Sequence, residues 1–461
     1  MNEQPAPKCR RCETLEKRVA ELEAVVAKLT SALEETRRAG KRQAAPFRKA
    51  KKKGKRQKPG RKSGKEHGPH FHRQSPPPDQ VNEQYDVPLP PKCKRCSSRQ
   101  LTDTGEVRQQ FQTDVVVSVV VRQFDIKVGQ CRRCGAHSTG RHKLQTSSVS
   151  GSAGHQFGPW THAAFTMLNK SYGLSYGKIQ KLFDELFNLT VSRSTAARSV
   201  LRTGKRCQGA AQQIRKNVRA SRQVTPDETG WRVGGNKAWL HAFAASDTVW
   251  YEIDPRRNAS VIHRLLGSDW KGELVHDGWS PYDSMTAATH QQCTAHLIRR
   301  CNELLETAVG GALRFPCQVK RLLKEGLELR ERHQRNEISD AGIRMLGGKL
   351  TSRLLKLVLP TRKNKDNDRF AWFLYNHLDQ IFAYLARSKM DATNWRGEQA
   401  IRPAVVNRKV WGGNRTWIGA QAQGVLMSVI QTCRLRCVDP FDHLINTLTS
   451  PIELKIPATQ R

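Results

Sequence analysis

The stretch that decides the fold is residues 224–255, which read VTPDETGWRVGGNKAWLHAFAASDTVWYEIDP. Apolar and polar residues alternate in three runs, VTPDETGWRV, AWLHAFAAS and TVWYEIDP, and this pattern predicts three successive strands. Turn-forming residues at 234–236 and 246–247 separate the runs and predict two hairpins. A helix over about 259–266 and a fourth strand, GELVHDG at 272–278, are predicted to follow.

The predicted order β-β-β-α-β is that of a ribonuclease H-like core, in which the first and fourth strands lie side by side. Asp227 lies on the first strand and Asp277 lies near the end of the fourth, so we expect their carboxylates to converge. Converged acids repel unless a cation lies between them, and phosphodiester chemistry uses divalent ions in this way. A third carboxylate usually completes such a site, and spacing alone does not select it. Glu228 should point to the opposite face of its strand.

The charge of the chain indicates a polyanionic partner. The 461 residues include 79 Lys or Arg and 41 Asp or Glu, a net charge of +38. This excess favours nucleic acid and argues against an ordinary metabolic enzyme. The longest apolar run, 115–121, is too short to span a bilayer, and the start, MNEQPAPK, lacks an apolar signal segment. We therefore expect neither a membrane protein nor an exported one.

Residues 13–36 have the pattern of a short coiled coil. The apolar residues at the two seam positions of the heptads are Leu15, Val19, Leu22, Val26, Leu29 and Leu33. Val at one seam position and Leu at the other favour two parallel strands, so we expect a homodimer or a higher oligomer. The alternative is a single amphipathic helix packed on its own protein.

Residues 37–87 are predicted to be a basic, disordered linker. Its part 37–73 carries sixteen Lys or Arg and one acid, with almost no apolar residues. Such a segment cannot bury enough surface to fold alone. It is either a solvated spacer or, as this density of charge favours, a segment that contacts phosphates. The candidate DNA-binding residues are Lys51, Lys52, Lys53, Lys55, Arg56, Arg61 and Lys62.

Residues 88–145 are predicted to form a small zinc-ribbon-like module. They contain two C-x-x-C pairs, formed by Cys93, Cys96, Cys131 and Cys134. Apolar alternation at 111–121 and 124–128 predicts strands between the pairs. Four thiolates in two such pairs make a closed tetrahedral zinc site, which would be structural. The alternative is four unrelated buried thiols. Cys9 and Cys12 form a third pair, for which the sequence indicates no role.

Residues 155–205 are predicted to be helical, with a helix-turn-helix-like arrangement. Ser175 is placed to cap a helix with apolar residues at i, i+3, i+4 and i+7 spacing, and Ser192 begins a second, arginine-containing helix. The second helix either contacts DNA or packs only within the protein.

Four motifs connect the chain to a known family: DETGWRV at 227–233, DGWSPYD at 277–283, CTAHLIRR at 293–300 and EQAIRPAVVNRKVW at 398–411. With them the chain resembles bacterial insertion-sequence transposases of the DDE type, specifically the insertion-sequence sixty-six family, over nearly its whole length. The resemblance implies metal-dependent cleavage and strand transfer at the DNA ends of the protein's own element.

The resemblance implies that the catalytic acids holding Mg²⁺ or Mn²⁺ are Asp227, Asp277 and Glu398. It places a ribonuclease H-like core at 222–284 and 391–434, a helical insertion at 285–390 and a C-terminal tail at 435–461. Cations expected to contact DNA near the site are Arg299, Arg300, Arg402, Arg408 and Lys409. The implied partners are double-stranded DNA, as element ends and target, and helper proteins of the same element, in the cytoplasm of a bacterium and at its nucleoid.

The sequence therefore predicts a multidomain α+β transposase. The alternatives are a co-opted DNA-binding protein without catalysis and a ribonuclease H-like nuclease without strand transfer. For each of three residues beside the predicted site, the sequence allows two interpretations. Trp279 either stacks on an unpaired base or belongs to the core, and Cys293 and His296 either bind a metal or pack and position DNA.

Overall fold

The structure is a computed structural model that describes residues 18–19, 21–23, 25–26, 75–115, 118–145, 149, 157–450 and 454–458. The chain divides into two compact units, Met1–Asp114 and Val115–Arg461. The described residues between 18 and 26 are all helical, and the rest of the predicted coiled coil lies outside the described residues. The linker cations, at 51–62, also lie outside them. In the first unit, a 3-10 turn spans Pro78–Gln80.

The strands of the second unit are β1 (Val128–Gln130), β2 (His137–Thr139), β3 (Gln223–Val233), β4 (Asn236–Ala244), β5 (Val249–Asp254), β6 (Glu273–His276) and β7 (Thr289–Gln292). Two antiparallel strands, β1 and β2, form a small hairpin. The other five form one sheet in the order β5-β4-β3-β6-β7. In it, β3, β4 and β5 are antiparallel neighbours, whereas β6 lies parallel to β3 and β7 lies parallel to β6.

Helices of at least eight residues before the last strand are α1 (Pro159–Lys170), α2 (Tyr176–Phe187), α3 (Arg193–Arg206), α4 (Gln208–Ala220) and α5 (Ala259–Leu266). The helices after it are α6 (Thr294–Thr307), α7 (Arg314–Gln334), α8 (Asp340–Val358), α9 (Lys365–Asn376), α10 (Leu378–Ile381), α11 (Ala383–Ala386), α12 (Trp395–Trp411), α13 (Trp417–Leu435) and α14 (Pro440–Thr449). Short 3-10 turns lie at Ser280–Ser284 and Gly310–Leu313.

The central prediction of the sequence is confirmed: three antiparallel strands, a helix and a fourth strand follow in the expected order. The first hairpin turn consists of Gly234 and Gly235, whose positive φ angles of 59° and 82° suit a tight two-residue turn. As predicted, the fourth strand of the series, β6, pairs directly with the first, β3.

The helices before the sheet also begin where their sequence predicts. The Ser175 hydroxyl accepts a hydrogen bond from Lys178 N and caps α2, and Ser192 caps α3 through Thr195 N. Between these helices Asn188 adopts a left-handed conformation with φ of 47°. The buried residues of α2, Ile179 and Phe183, belong to the same core as α13 and α5.

Helix α13 covers one face of the sheet. Ser428 Oγ accepts a hydrogen bond from Tyr251 N of β5 at 2.9 Å, and Gly424 is in direct contact with the backbone of Tyr251. The Tyr251 hydroxyl donates to Ala400 O of α12 at 2.6 Å. These contacts hold α12 and α13 against the antiparallel half of the sheet.

The structure differs from the predicted secondary structure at three places. The insertion predicted to be mostly helical over 285–390 contains helices α6–α11, but the edge strand β7, whose sequence THQQ carries no apolar alternation, precedes them. The predicted tail at 435–461 contains helix α14, which Asp439 caps through Phe441 N at 2.7 Å. The strand predicted within 111–121 is not formed in the described residues there, and of the strand predicted at 124–128 only Val128 is in a strand, as the first residue of β1; the valines of these segments find no core to pack against, and Val115 and Val121 are largely exposed.

No helix in the part of the chain that the structure describes combines the length and apolar character needed to cross a membrane.

Candidate active site

Two of the predicted acids meet because their strands are parallel neighbours. Asp227 lies on β3 and Asp277 directly follows β6. Val224 of β3 pairs with Leu274 of β6, and each acid follows its member of this pair by three residues. The two acids therefore lie at the same level, where β6 ends beside β3.

The third acid, Glu398, lies in the first turn of α12, which packs against β3. A Cβ at Gly397 would lie 3.1 Å from Pro226 O and 3.2 Å from the Cβ of Asp227, so a glycine permits this close approach. Asn394 Nδ2 also donates to Pro226 O at 3.4 Å. The start of α12 is thus fixed beside Asp227, and a carboxylate in a first helical turn interacts favourably with the helix dipole.

The turn after β6 fixes Asp277. Its Oδ1 accepts a hydrogen bond from Trp279 N at 3.1 Å, and Gly278 N donates to His276 Nδ1 at 3.2 Å. Gly278 has φ of 90°, and a Cβ there would lie 2.9 Å from Gln292 Oε1. The glycine of the DGW motif is therefore required by both backbone conformation and space.

The acids of the site lie close enough for their charges to repel, and this repulsion acts on the pKa of Asp227. Burial first, and then the charges of Glu228, Asp277 and Glu398, raise the pKa of Asp227 to about 8, although the Glu228 N–H donates to its Oδ1 at 2.8 Å. Carboxylate oxygens are the ligands that Mg²⁺ and Mn²⁺ prefer, so the donor set fits a hard divalent ion. Within the described residues, the acids are not drawn into a group of three that is compact enough to hold a metal.

His296 lies beside the acids. On α6, its Nε2 is 3.9 Å from Glu398 Oε1, and its Nδ1 is buried without a hydrogen-bond partner in the described chain. Burial, followed by the charge of Arg299, lowers the pKa of His296, whereas Asp277 and Glu398 act in the opposite direction. The histidine therefore favours its neutral form at the edge of the acid cluster.

Cys293 lies one helical turn before His296 and links two neighbouring elements. Its sulfur accepts a hydrogen bond from Asn394 N at 3.1 Å, and its own N–H donates to His276 O at 2.8 Å. The thiol is buried, and burial raises its pKa. Cys293 thus connects the end of β6, just before Asp277, to the start of the helix that carries Glu398.

Glu228, which the sequence predicts to point to the opposite face of its strand, still acts on the site, because its charge is among those that raise the pKa of Asp227. Its side chain is only 4% exposed, and its Oε1 accepts from Arg257 Nη2 at 2.7 Å. Its Oε2 accepts from the Tyr282 hydroxyl at 2.8 Å. The Arg257 guanidinium lies over two rings, 4.7 Å from Trp239 and 4.6 Å from Trp279. This cluster joins β3 to the turn that holds Asp277, and sequence spacing gave no signal for the part that Arg257 plays in it.

The contact of Arg257 with Trp279 also bears on the two interpretations of that tryptophan. Trp279 is half-buried and packs edge-on against Tyr282 at 5.2 Å. It belongs to the packing around Glu228.

The predicted DNA-contacting cations of this unit differ in their surroundings. Arg299, Arg300, Arg402 and Lys409 are exposed. Arg300 is 3.4 Å from Glu303 in an exposed ion pair. Arg408 is half-buried, and its guanidinium donates to Thr229 Oγ1 at 3.0 Å and to Gly230 O. Arg408 is therefore engaged with β3.

The two C-x-x-C pairs form turns of the same type in separate units. Ser97 N donates to Cys93 O and Gly135 N donates to Cys131 O, each at 2.9 Å. Backbone hydrogen bonds within each turn, first from Cys96 or Cys134, lower the pKa of Cys93 and of Cys131. Each turn therefore favours a thiolate, as a zinc ligand requires. No three-residue ligand group is formed by the described residues.

A family model described as "Transposase IS66 family" matches residues 154–422. The match spans more than half of the chain and contains all three acids. The chain belongs to this transposase family. The matched region begins after the C-x-x-C pairs, so the N-terminal segments lie outside it, whereas the resemblance was expected over nearly the whole chain.

One curated relative of this IS66-family chain is "Uncharacterized protein y4qI" of Sinorhizobium fredii, with 28% identity over 297 residues. The alignment covers 56% of this chain and 53% of the relative. The chain thus spans about half the length of the curated relative that it matches.

Proposed function

We propose that this protein is a DDE transposase that cuts DNA at the ends of its own insertion sequence and joins those ends to target DNA. The catalytic acids are Asp227, Asp277 and Glu398. The observation that supports the proposal is that the three acids, all inside the family-matched region, are electrostatic neighbours: the charges of Asp277 and Glu398 both contribute to the raised pKa of Asp227.

The sheet supports a ribonuclease H-like core. Its order, β5-β4-β3-β6-β7, places three antiparallel strands beside two parallel ones, and the acids lie where β3 and β6 meet. The core then comprises 222–292 and 391–435, with α6–α11 as the insertion.

The chemistry would consist of two in-line displacements. Water attacks a phosphodiester and releases a 3′ hydroxyl, and this hydroxyl attacks a target phosphodiester, so one such bond is exchanged for another. Divalent ions, when bound, activate the attacking oxygen and stabilise the leaving oxygen. The three carboxylates would hold these ions, and Glu228, Arg257 and Tyr282 would keep Asp227 and Asp277 at their mutual position.

The test uses a plasmid whose marker gene is flanked by the DNA sequences that border this gene. Purified protein with Mg²⁺ or Mn²⁺ should cut at the borders and join them to a second plasmid. DNA binding without cutting would favour the co-opted DNA-binding protein. Cutting without joining would favour the nuclease.

Other parts of the chain support DNA handling in this proposal. The thiolate-favouring turns of the two C-x-x-C pairs, with Cys93, Cys96, Cys131 and Cys134, would bind structural zinc. The linker cations at 51–62, and Arg299, Arg300, Arg402 and Lys409, would contact phosphates. The segment 13–36 would pair two copies so that two element ends are held together. Helper proteins and a site of action at the bacterial nucleoid remain part of the proposal.

A further inference from the structure

A second candidate site lies in the helical insertion, away from the three acids. A pocket of about 470 Å³ opens between the start of α7, the end of α8 and the start of α9. This volume is within the range of ligand pockets, about 300–1,000 Å³. Its lining combines apolar surface with four cations, Arg314, Lys356, Arg362 and Lys363, and includes no acidic residue.

The cations of the pocket divide into one that builds it and three that face solvent. The Arg362 guanidinium lies 3.9 Å above the Phe315 ring and donates to Val358 O at 3.2 Å, so it forms part of the wall. Arg314, Lys356 and Lys363 are exposed, and within the described residues none of them has an ion-pair partner. Three cations without counter-charges at the mouth of a pocket favour an anionic ligand.

The pocket also contains a buried hydrogen-bond acceptor that has no partner in the described chain. Asn367 lines it and is only 2% exposed. Its Nδ2 donates to Ala312 O at 2.7 Å, but its Oδ1 has no hydrogen-bond partner in the described chain. An unpaired buried acceptor is costly, and an N–H donor from a ligand would satisfy it. The phosphodiester of a DNA strand carries no hydrogen-bond donor, whereas a nucleobase does.

We propose that this pocket receives one unpaired nucleotide of a DNA strand. Its phosphates would lie against Arg314, Lys356 and Lys363, and its base would pack on the apolar lining at Leu357 and Pro360, with an N–H directed to Asn367 Oδ1. A base in an intact duplex is stacked and paired and does not enter such a pocket. The inference rests on the proposed function, since it takes DNA as the partner, and it adds a place where a strand is held outside the double helix.

The experiment measures binding of the full-length protein to three probes by fluorescence anisotropy. The probes are a single-stranded oligonucleotide, the same strand with abasic positions, and the matching duplex. One variant, Arg314→Ala/Lys356→Ala/Lys363→Ala, removes the exposed cations. Its control, Arg321→Ala/Lys324→Ala/Lys349→Ala, removes three exposed cations of α7 and α8 that do not line the pocket.

A second variant narrows the pocket without changing its charge. Gly311 lines the pocket, and a Cβ there meets no atom within 4 Å, so Gly311→Leu extends into open space. Gly348→Leu, at a helical position that is equally open, is its control.

The wild type should bind the base-bearing strand about tenfold more tightly than the abasic strand, because base contacts of this kind contribute strongly. Gly311→Leu should reduce that ratio, and the triple pocket variant should flatten the log–log salt slope by about 2 on single strands. Both controls should behave as wild type.

Two outcomes would overturn the proposal: equal binding of the base-bearing and abasic strands, or losses in the control variants as large as in the pocket variants. These outcomes leave cutting and joining by the three acids intact. Failure of the proposed function would appear instead as acid variants that cut and join like wild type.

Discussion

Replacing Asp227 with Asn should make the metal-free protein more stable. In the folded protein, burial and the neighbouring acids raise the pKa of Asp227 from its ordinary value of 3.8 to about 8. The unfolded chain releases this proton at a lower pH, so the folded state binds more protons than the unfolded state between these values. The free energy of unfolding therefore falls as the pH rises from about 4 to about 8.

The size of the effect follows from the same pKa values. At pH 7 the group is about 3 pH units above its unfolded pKa, and each unit corresponds to about 1.4 kcal/mol, so the upper limit is about 4 kcal/mol. Asparagine keeps an oxygen for the Glu228 N–H, which now bonds to Asp227 Oδ1 at 2.8 Å, and has no proton to lose. Asp227→Asn should thus be up to about 4 kcal/mol more stable at pH 7 and should lack this part of the pH dependence.

The assay is thermal and urea unfolding in the presence of a chelator from pH 4 to 8, followed by the same measurement with Mg²⁺. Mg²⁺ should stabilise the wild type more than Asp227→Asn, because ligand binding adds stability only where the site is intact. Asp269→Asn, which changes an exposed acid between α5 and β6, is the matched control and should lie within about 0.5 kcal/mol of wild type. If the free energy of unfolding of Asp227→Asn in chelator at pH 7 is equal to or below that of wild type, Asp227 is not a buried acid facing other acids, and the reasoning fails.

Three further predictions test other parts of the account. Arg257→Ala should lower stability by about 2 kcal/mol in the same unfolding assay, the opposite sign to Asp227→Asn, because it leaves the buried Glu228 carboxylate without its cation; the loss is below that of a fully buried pair because Arg257 is 38% exposed. Cys131→Ser should reduce the zinc content in elemental analysis while the unfolding transition of the core is unchanged, and a wild type without zinc would contradict the zinc proposal. Deleting 41–65 should flatten the log–log salt slope of DNA binding by about 5, and an unchanged slope would mean that the linker is a spacer.

The strands around Asp227 could be predicted because their information is local. Alternating residues from 224 to 255 determine which side chains face the core, and the glycines at 234 and 235 determine the first turn. The parallel pairing of β3 with β6 then brings Asp227 and Asp277 together, as the order of elements implied.

The edge strand β7 could not be predicted from hydropathy because tertiary hydrogen bonds determine it. Its Gln291 is buried, donates to Ile381 O at 3.0 Å and accepts from Tyr384 N at 3.0 Å. These bonds replace apolar packing, so no alternation is present in the sequence. Helix α14 is different: Asp439 and Pro440 are an N-cap and first-turn signal that the sequence does contain.

The position of the third acid, Glu398, could not be predicted from sequence spacing. Glu398 follows Asp277 by 121 residues, and nothing between them specifies the contact. Its position depends on Gly397 and Asn394 against Pro226, a packing that emerges only in three dimensions. The resemblance to the family identified Glu398, and the structure gave the reason for its place. The pairing of Glu228 with Arg257 is equally non-local.

The most direct test of the central claim compares Asp227→Asn, Asp277→Asn and Glu398→Gln with wild type in one assay of DNA binding, cutting and joining, with Mn²⁺ and the border DNA as substrate. Each variant should bind DNA at least as tightly as wild type, because a negative charge near the phosphates is removed. Each should lose both cutting and joining by several orders of magnitude, since the same carboxylates would serve both displacements. If the three variants cut and join as wild type does, Asp227, Asp277 and Glu398 are not the catalytic site.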